Sequence, residues 1–321
     1  MKFPVFDLHC DTALALLGED MNTAGSLRKN DLHIDLERAE KLPGYCQCFA
    51  CFTTPFMEQW HKTSPVVIFE REIATIQREL DKNKDIMRIA YSVDDIRRNA
   101  DKGRMSAILT IEGTAGFGHD PDLLEDLYAI GFRISSLGWN EQNPLAGSHA
   151  TGGGLTELGK NYVKNAQQLG MLIDVSHLSD EGFRDIMDIT EAPILATHSN
   201  ARSVHDVSRN LTDDMFRAIC GTGGLAGLNM YSDFIGEHAD IDKACDHIFR
   251  FMELDPSGKH IALGGDLDGC ERLPAGFSGV QDYPKLAQRL LERGLSEDTV
   301  MDIFWNNAIG VMERAVRNHK K

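Results

Sequence analysis

Short apolar runs alternate along this chain with segments whose apolar residues have helical spacing. The runs cover residues 5–11, 45–53, 107–112, 132–137, 171–177, 193–198, 224–231 and 260–266. Strands that alternate with helices form parallel sheets, and eight such strands close into a barrel. We found no linker, low-complexity stretch or internal repeat. The pattern therefore predicts an α/β fold, a single (β/α)8 TIM-barrel domain over residues 1–321.

The segments between the runs have the period of amphipathic helices. Val67, Ile68, Ile73, Ile76 and Leu80 fall on one helical stripe, which predicts a core-facing helix. The same spacing recurs at 123–130, 155–169, 213–220, 283–293 and 297–317, and Ser296 is a suitable N-cap for the last helix. The glycine-rich stretch 147–154 reads as a loop after the fourth run.

Composition limits the classes of function. The 321 residues carry a formal net charge of -16, which disfavours a nucleic-acid surface and docking on anionic lipid. No apolar run is long enough to span a bilayer, and we expect no leader before the first strand. The seven cysteines lack a disulfide spacing. Cys46, Cys48 and Cys51 are expected as buried thiols, so we expect a cytoplasmic protein.

Polar residues end several of the predicted strands. In a TIM barrel the chemistry lies at the C-terminal ends of the strands, so these residues would meet at one mouth. Each residue taken alone is explained equally well as a solvated or hydrogen-bonded strand end. Their joint occurrence favours a two-metal hydrolytic centre. In such a centre a carboxylate bridges ions about 3.5–4 Å apart and a shared water becomes hydroxide near neutral pH. The residues are His9, Asp11, Glu112, His177, His198, Asp266 and Asp268.

The remaining histidines carry less information. His149 and His205 lie in loops that could reach the mouth, and we leave their role open. The others lie in polar or helical contexts and are expected at the surface: His33, His61, His119, His238, His247 and His319.

Six sequence blocks, in order, resemble the membrane dipeptidase (renal dipeptidase) family of zinc peptidases. The resemblance runs from Asp7 to about Val311, and its blocks are DLHCDT at 7–12, IEG at 111–113, LTELG at 155–159, LIDVSH at 172–177, THSNAR at 197–202 with SRN at 208–210, and GGDLDG at 264–269. The family's fold is an amidohydrolase-type barrel.

This resemblance implies a role for each matching residue. His9, Asp11 and Glu112 would bind one zinc ion, and Glu112 would bridge to a second zinc ion held by His177 and His198. Asp266 would accept a proton from the bridging water and deliver it to the leaving amine. Arg209 would pair with the terminal carboxylate of the substrate, and Tyr231 would lie near the scissile amide.

The chain departs from the family at one substrate contact. Mammalian members carry a histidine after the fourth strand, where this sequence has Trp139 and Asn140. We expect one of these two residues to take its place at the substrate. The metal residues are unaffected by the change.

The sequence leaves three functions open. The first is a zinc dipeptidase acting on short peptides, including those that end in a D-residue, in an assembly that its relatives suggest is a homo-oligomer. The second is an amidohydrolase-like hydrolase of N-acyl amino acids or cyclic amides, which would hold if Arg209 faced away from the metals. The third is a non-catalytic metal-binding scaffold, against which the presence of Asp266 argues.

Overall fold

The computed structural model describes residues 3–22 and 25–319, so the outermost residues of the predicted 1–321 domain lie outside the described residues. All of the strands that it describes are parallel. They are β1 (Val5–Cys10), β2 (Tyr45–Phe52), β3 (Met87–Ile89), β4 (Met105–Glu112), β5 (Phe132–Ser136), β6 (Leu172–Asp174), β7 (Ile194–Ala196), β8 (Leu225–Leu228) and β9 (Ile261–Leu263).

The sheet closes into a barrel. The strand order is β2-β1-β9-β8-β7-β6-β5-β4-β3, and an additional pairing between β2 and β4 completes the circle. The short strand β3 pairs with the first residues of β4, while β5 pairs with the last residues of β4. The eight barrel strands correspond to the eight predicted runs, and the (β/α)8 prediction is confirmed. β3, only three residues long, was not predicted.

Helices surround the barrel. The described α-helices are Thr12–Ala15, Leu36–Ala39, Met57–His61, Pro65–Lys82, Val93–Asp101, Leu124–Ile130, Glu157–Gln168, Asp180–Ile189, Asp213–Thr222, Ser232–Ile235, Ile241–Leu254, Tyr283–Glu292, Glu297–Met301 and Asn307–His319. Short 3₁₀ turns span Ala115–Phe117, Pro121–Leu123 and Val280–Asp282.

The last predicted helix begins where the sequence indicated but is not continuous. The side chain of Ser296 accepts a hydrogen bond from the backbone of Thr299, as an N-cap does. A π-helical segment, Asp302–Asn306, then separates the helix into two α-helical parts. Such bulges distort the regular helical ladder without ending it, and the apolar spacing carries no signal for one.

An apolar cluster fills the barrel interior below the strand ends. Every barrel strand contributes to it, for example Phe6, Ile108 and Leu195, and the closing helix adds Ala308 and Val311. Because the N-terminal half of the barrel is packed with apolar side chains, the polar residues that point inward must lie at the C-terminal mouth. Among the residues that the structure describes, no helix is long and apolar enough to cross a membrane.

Candidate metal centre

Six of the residues predicted from strand ends lie together at the C-terminal mouth of the barrel. His9 and Asp11 lie at the end of β1, and Glu112 is the last residue of β4. His177, His198 and Asp266 follow the ends of β6, β7 and β9 by two or three residues. All six side chains are buried. We call His9, Asp11, Glu112, His177, His198 and Asp266 the mouth cluster.

A bulge in β1 aims its two polar residues into the barrel. The register with β2 shifts between Asp7 and Cys10. Phe6 and Leu8 belong to the interior apolar cluster, whereas Cys10 packs in the outer core. The shift inserts one extra residue into β1 relative to β2. Without this insertion, regular alternation would place His9 on the same side as Asp7, away from Leu8. The side of β1 on which His9 lies is therefore set by the bulge as well as by alternation.

The ligand-type atoms of the mouth cluster lie within contact distance of one another. Nε2 of His9 is 3.3 Å from Oε2 of Glu112 and 3.6 Å from Oδ2 of Asp11. On the other side, Oε1 of Glu112 is 2.9 Å from Nε2 of His177 and 3.6 Å from Nε2 of His198. Glu112 therefore presents one carboxylate oxygen to each side, the arrangement expected of a bridging ligand.

Two overlapping triads meet the distance requirement for a shared cation. One triad is His9, Glu112 and His198, and the other is His9, Asp11 and Asp266. Within each triad, one candidate donor atom per residue lies within 4.8 Å of the other two. Neither triad is one of the two ligand sets that the family resemblance implies, but every implied ligand lies in the cluster.

The hydrogen bonds behind the two later histidines fix which nitrogen faces the cluster. The Thr197 hydroxyl donates to Asp174 at 2.5 Å, so its oxygen accepts from Nδ1 of His198 at 2.7 Å. Nδ1 of His177 donates to Oδ1 of Asn140 at 2.8 Å. Both Nε2 atoms therefore carry lone pairs, and they face each other at 3.0 Å. Two such acceptors at this distance repel unless a cation lies between them.

Two further atoms in the cluster also indicate a cation-binding site. Nε2 of His9 and Oδ1 of Asp11 are buried and have no hydrogen-bond partner among the described residues. Buried polar atoms are normally satisfied, because an unpaired one costs about 1–3 kcal/mol. Nitrogen and carboxylate donors are the set that Zn²⁺ binds in hydrolases. The donor set therefore fits a divalent metal.

Burial and mutual repulsion perturb the cluster's acid–base behaviour. Burial raises the pKa of Glu112 to about 8, with a further contribution from the negative charge of Asp11. Burial lowers the pKa of His177 and of His198 well below the ordinary value, so both imidazoles are neutral at pH 7. For His9 burial acts in the same direction, but Glu112 and Asp11 outweigh it and raise the pKa.

Asp266 lies at the edge of the cluster in a restricted geometry. Its backbone has a φ of 56°, in the left-handed region that is uncommon outside glycine. Its Oδ2 accepts a hydrogen bond from Asn229 at 3.0 Å, and Oδ1 is 3.9 Å from Nε2 of His9. Burial raises the pKa of this carboxyl to about 7; the charge of His9 opposes the increase. A carboxyl with this pKa can accept and release a proton near neutral pH.

Asp268 does not join the cluster. Its Oδ2 accepts a hydrogen bond from the Thr12 hydroxyl at 2.6 Å, and Oδ1 accepts from the backbone of His33 at 2.5 Å. The expectation that both aspartates of the pair at 266–268 would reach the centre is therefore correct for Asp266 alone. Asp268 instead connects the last βα loop to the loops that follow β1.

Arg209 lies beside the cluster with most of its hydrogen-bonding capacity unused. It is 4% exposed, and its Nη1 donates to the Ser199 hydroxyl at 2.6 Å. Its Nε and Nη2 are buried without partners among the described residues. Burial lowers the pKa of the guanidinium, and the carboxylates of Asp266, Asp174 and Glu112 oppose this. A buried guanidinium with a free N–H edge is suited to bind a carboxylate.

The two residues predicted at the family's missing histidine have different surroundings. Trp139 packs edge-on against Phe52, with ring centroids 5.3 Å apart, and its ring lies 6.2 Å from that of His177. Oδ1 of Asn140 contacts both Nδ1 of His177 and Nε2 of His149, each at 2.8 Å. Asn140 therefore orients His177, and the predicted substrate contact of Trp139 or Asn140 stays a prediction.

Tyr231 lies three residues after the end of β8. Its ring packs edge-on against Phe234 at 4.8 Å, and burial together with the nearby carboxylates of Glu271 and Asp233 raises the pKa of its hydroxyl. Its backbone N–H donates to Asn229, the residue that holds Asp266. Its predicted contact with the scissile amide stays a prediction.

Sequence reasoning missed several residues that support the cluster. Asp174 is the last residue of β6 and Asn229 directly follows β8, so the rule that places polar strand ends at the mouth could have identified both.

The histidines outside the mouth cluster have mixed outcomes. Of the two histidines left open, His149 reaches the site through Asn140. His247 was wrongly expected at the surface: it is fully buried and joins Ala201 to Ile235. The side chain of His319 lies outside the described residues.

Comparison with known sequences gives a family match over the whole chain. A profile of the membrane dipeptidase family (peptidase family M19) matches residues 1–321. An uncharacterized dipeptidase of Schizosaccharomyces pombe is 34% identical over 217 residues, which cover 65% of this chain and 53% of the relative. A second uncharacterized dipeptidase of that yeast is 30% identical over 278 residues, which cover 81% of this chain and 67% of the relative. The chain thus spans about half to two-thirds of these relatives.

The barrel also resembles a solved structure along nearly its full length. A metallopeptidase from Rhodobacter sphaeroides, solved with a phosphinate mimic of the dipeptide L-Ala-D-Ala, superimposes with a TM-score of 0.87. The match covers 98% of this chain and 100% of that chain at 24% identity. At 24% identity, this structural similarity is evidence for a shared fold.

Proposed function

This chain belongs to the membrane dipeptidase family, and from that membership together with the site geometry we propose that it is a zinc-dependent dipeptidase. The proposed reaction is hydrolysis of the amide bond of a dipeptide with a free C-terminal carboxylate. The mouth cluster would hold two zinc ions, with His9, Asp11 and Glu112 on one side and Glu112, His177 and His198 on the other. Bound zinc would supply the Lewis acidity that makes a water molecule nucleophilic at neutral pH.

The observation that carries this proposal is the orientation of Arg209. Its Nε and Nη2 are buried beside the cluster and have no partner among the described residues, so leaving them without an acceptor has a free-energy cost. Metal ions and a guanidinium repel each other, which favours a substrate that spans the two with its amide at one end and its carboxylate at the other. A dipeptide has this spacing of groups.

Asp266 would handle the proton in this reaction. Its carboxyl is held by Asn229 and faces the cluster near Nε2 of His9. It would accept a proton from the attacking water and deliver it to the leaving amine, the role that the family resemblance also implies. Asn140 would keep Nδ1 of His177 protonated, so that Nε2 stays available to a metal.

A substrate with a D-residue at its C-terminus is the finer part of the proposal. The R. sphaeroides metallopeptidase was solved with a mimic of L-Ala-D-Ala, and this chain has the same fold. N-acyl amino acids are the alternative substrate class, since they share the carboxylate and the amide but lack the N-terminal amine. The orientation of Arg209 suits both classes and disfavours cyclic amides without a carboxylate.

A substrate panel tests the proposal. The zinc-loaded protein should be assayed on dipeptides with L- and D-residues at the C-terminus, on the matching C-terminal amides, and on N-acetyl amino acids. We expect kcat/KM to be highest for free dipeptides. Higher kcat/KM for the N-acetyl amino acids would favour the amidohydrolase alternative, and no turnover of any member would contradict both.

A metal analysis tests the paired site. Glu112 faces both sides of the cluster, so the Glu112→Ala variant should bind fewer zinc ions than the wild type by more than one per chain. Thermal unfolding would verify that the variant is folded. A loss of one ion or less at saturating zinc would contradict a centre bridged by Glu112.

A further inference from the structure

A second group of metal-binding side chains lies at the opposite end of the barrel from the mouth. Cys220 is near the end of helix Asp213–Thr222, Asp255 directly follows helix Ile241–Leu254, and His260 directly precedes β9. One donor atom from each residue lies within 4.8 Å of the other two. His260 and Gly224 lie directly before β9 and β8, so this group lies at the N-terminal end of the barrel.

The donor atoms of this group are prepared for a cation in two respects. Nδ1 of His260 donates to the carbonyl of Gly224 at 2.8 Å, which leaves the lone pair on Nε2. A backbone carbonyl behind the ring is the usual support of a metal-binding histidine. Oδ1 of Asp255 accepts from the backbone and hydroxyl of Ser257, but Oδ2 is buried with no hydrogen-bond partner among the described residues.

We propose that Cys220, Asp255 and His260 form a second metal site, separate from the mouth cluster, that binds a borderline-soft divalent cation such as Zn²⁺. The sulfur, nitrogen and oxygen donors are the three kinds that zinc accepts, and their combination disfavours Mg²⁺ and Ca²⁺, which prefer oxygen alone. Zinc bonds of about 2.0–2.3 Å set donor separations of roughly 3.3–3.8 Å in a tetrahedral site. A bound ion would draw the three donor atoms, which lie within 4.8 Å of one another, to these separations.

The surroundings allow an ion to enter this site. All three residues are partly exposed, so solvent reaches the group. Water would complete the tetrahedral coordination of an ion held by three protein donors. Burial and the charge of Asp255 raise the pKa of the Cys220 thiol to about 12, so the thiol is neutral at pH 7 without a cation. Binding would therefore release a proton from Cys220.

The site would connect three separate parts of the barrel's outer layer. Cys220 belongs to the helix before β8, Asp255 to the end of the helix before β9, and His260 to the entry of β9. A bound ion would therefore join the β8 and β9 units at their N-terminal ends. Because this end is away from the catalytic mouth, the role would be structural, and the inference does not rest on the proposed dipeptidase activity.

Cobalt spectroscopy distinguishes this site from the mouth. Thiolate bound to Co²⁺ gives a charge-transfer band in the near ultraviolet, and the mouth cluster contains no cysteine. The full-length protein should show this band when loaded with Co²⁺, and Cys220→Ala should abolish it. Cys220→Ala should also bind one zinc ion fewer per chain while its kcat/KM changes less than about twofold.

Two further variants complete the test. Cys270 is a buried cysteine near Asp266 and Asp11, so Cys270→Ala is the matched control and should retain the band. Asp255→Asn keeps an acceptor for Ser257 and should lower zinc affinity at this site at least about 10–100-fold, the range seen even for lost outer-shell partners. Absence of the band in the wild type, or its persistence in Cys220→Ala, would overturn the proposal.

Discussion

Individual side chains at the mouth show what they can bind by the hydrogen bonds that they lack. Lone pairs on Nε2 of His177 and His198 face each other, whereas Arg209 holds two buried nitrogens, Nε and Nη2, whose N–H groups have no acceptor among the described residues. The facing lone pairs would be satisfied by a cation, and the N–H groups of Arg209 would be satisfied by an anion. A metal centre and a substrate carboxylate satisfy both at once, which is why the proposed substrate carries a carboxylate at one end.

The first prediction concerns Arg209. Replacing it with methionine removes a charged hydrogen-bonding partner, whose loss costs about 1.5–3 kcal/mol. We expect kcat/KM for a dipeptide to fall roughly 10–150-fold, because each 1.4 kcal/mol is a factor of ten. The C-terminal amide of the same dipeptide should be affected far less. Steady-state kinetics on both substrates measures the difference.

Arg202 provides the matched control for this prediction. It lies seven positions earlier on the same loop, but its guanidinium is paired with Asp180 at 2.8 Å. Arg202→Met should therefore leave the ratio between dipeptide and amide unchanged. Equal losses on dipeptide and amide in Arg209→Met would remove the carboxylate-binding role and favour the cyclic amides of the amidohydrolase alternative.

The second prediction concerns Asp266. Asp266→Asn keeps the shape of the side chain but removes its ability to accept a proton, so we expect kcat to fall about 10²–10⁴-fold, the range of general acid–base catalysis. The zinc content should stay at the wild-type value. Asp268→Asn, two residues away and bonded to Thr12 instead, should retain kcat within a few-fold. Near-normal turnover in Asp266→Asn would assign the proton transfer to another group.

At the scale of elements, the strands and the ends of the strands differ in how well the sequence predicts them. The eight barrel strands and the convergence of His9, Glu112 and His198 follow from apolar runs that end in polar residues. The bulge in β1 has no local signal, because it is set by the pairing with β2. β3 is short and exists through its pairing with β4, so its three residues give too little periodicity to detect.

The hydrogen-bond partners of the site could not be predicted in the same way. Asn140 was expected at the substrate because it lies where mammalian relatives have a histidine, and that contact stays a prediction. Nothing in the sequence indicated that its amide oxygen would contact His177 and His149. Whether a loop residue contacts a substrate or a neighbouring side chain depends on loop packing across several βα units. A strand-end rule gives the location of a residue but leaves its partner undetermined.

The third prediction concerns the turn that follows β9. A Cβ at Gly269 would lie 2.0 Å from Oδ2 of Asp11 and 2.4 Å from Oδ1 of Asp266. Gly269→Ala must therefore displace both carboxylates, and we expect zinc content and kcat/KM to fall together. Gly221→Ala is the control, because a Cβ there meets nothing within 4 Å and the residue lies in a helix. Unchanged zinc binding in Gly269→Ala would show that the turn can relax without moving the cluster.

At the scale of the whole molecule, the barrel separates its stabilising and reactive ends. The N-terminal half is filled with apolar side chains, whereas the mouth concentrates three buried carboxyls and three histidines. Burying charge is unfavourable without a counter-ion, and burial, with a smaller contribution from the negative charge of Asp11, raises the pKa values of Glu112 and Asp266. The metal-free protein is therefore destabilised by these buried carboxyls, and bound cations would remove this destabilisation.

The last prediction concerns how this cost depends on pH. A carboxyl whose pKa is raised on folding stabilises the fold below its unfolded pKa, and this contribution is lost as pH rises through the folded value. Burial raises the pKa of Glu112 to about 8 and that of Asp266 to about 7. The metal-free protein should therefore lose stability between about pH 5 and pH 8. Bound zinc requires deprotonated carboxylates, so the zinc-induced increase in Tm should grow over the same interval.

Thermal unfolding of metal-free and zinc-loaded protein measures this increase in Tm. The Glu112→Gln variant, whose side chain cannot ionise, should reduce the pH dependence of the increase. An increase in Tm that is the same at both ends of the interval would contradict the cost of burying charge inferred for the mouth cluster.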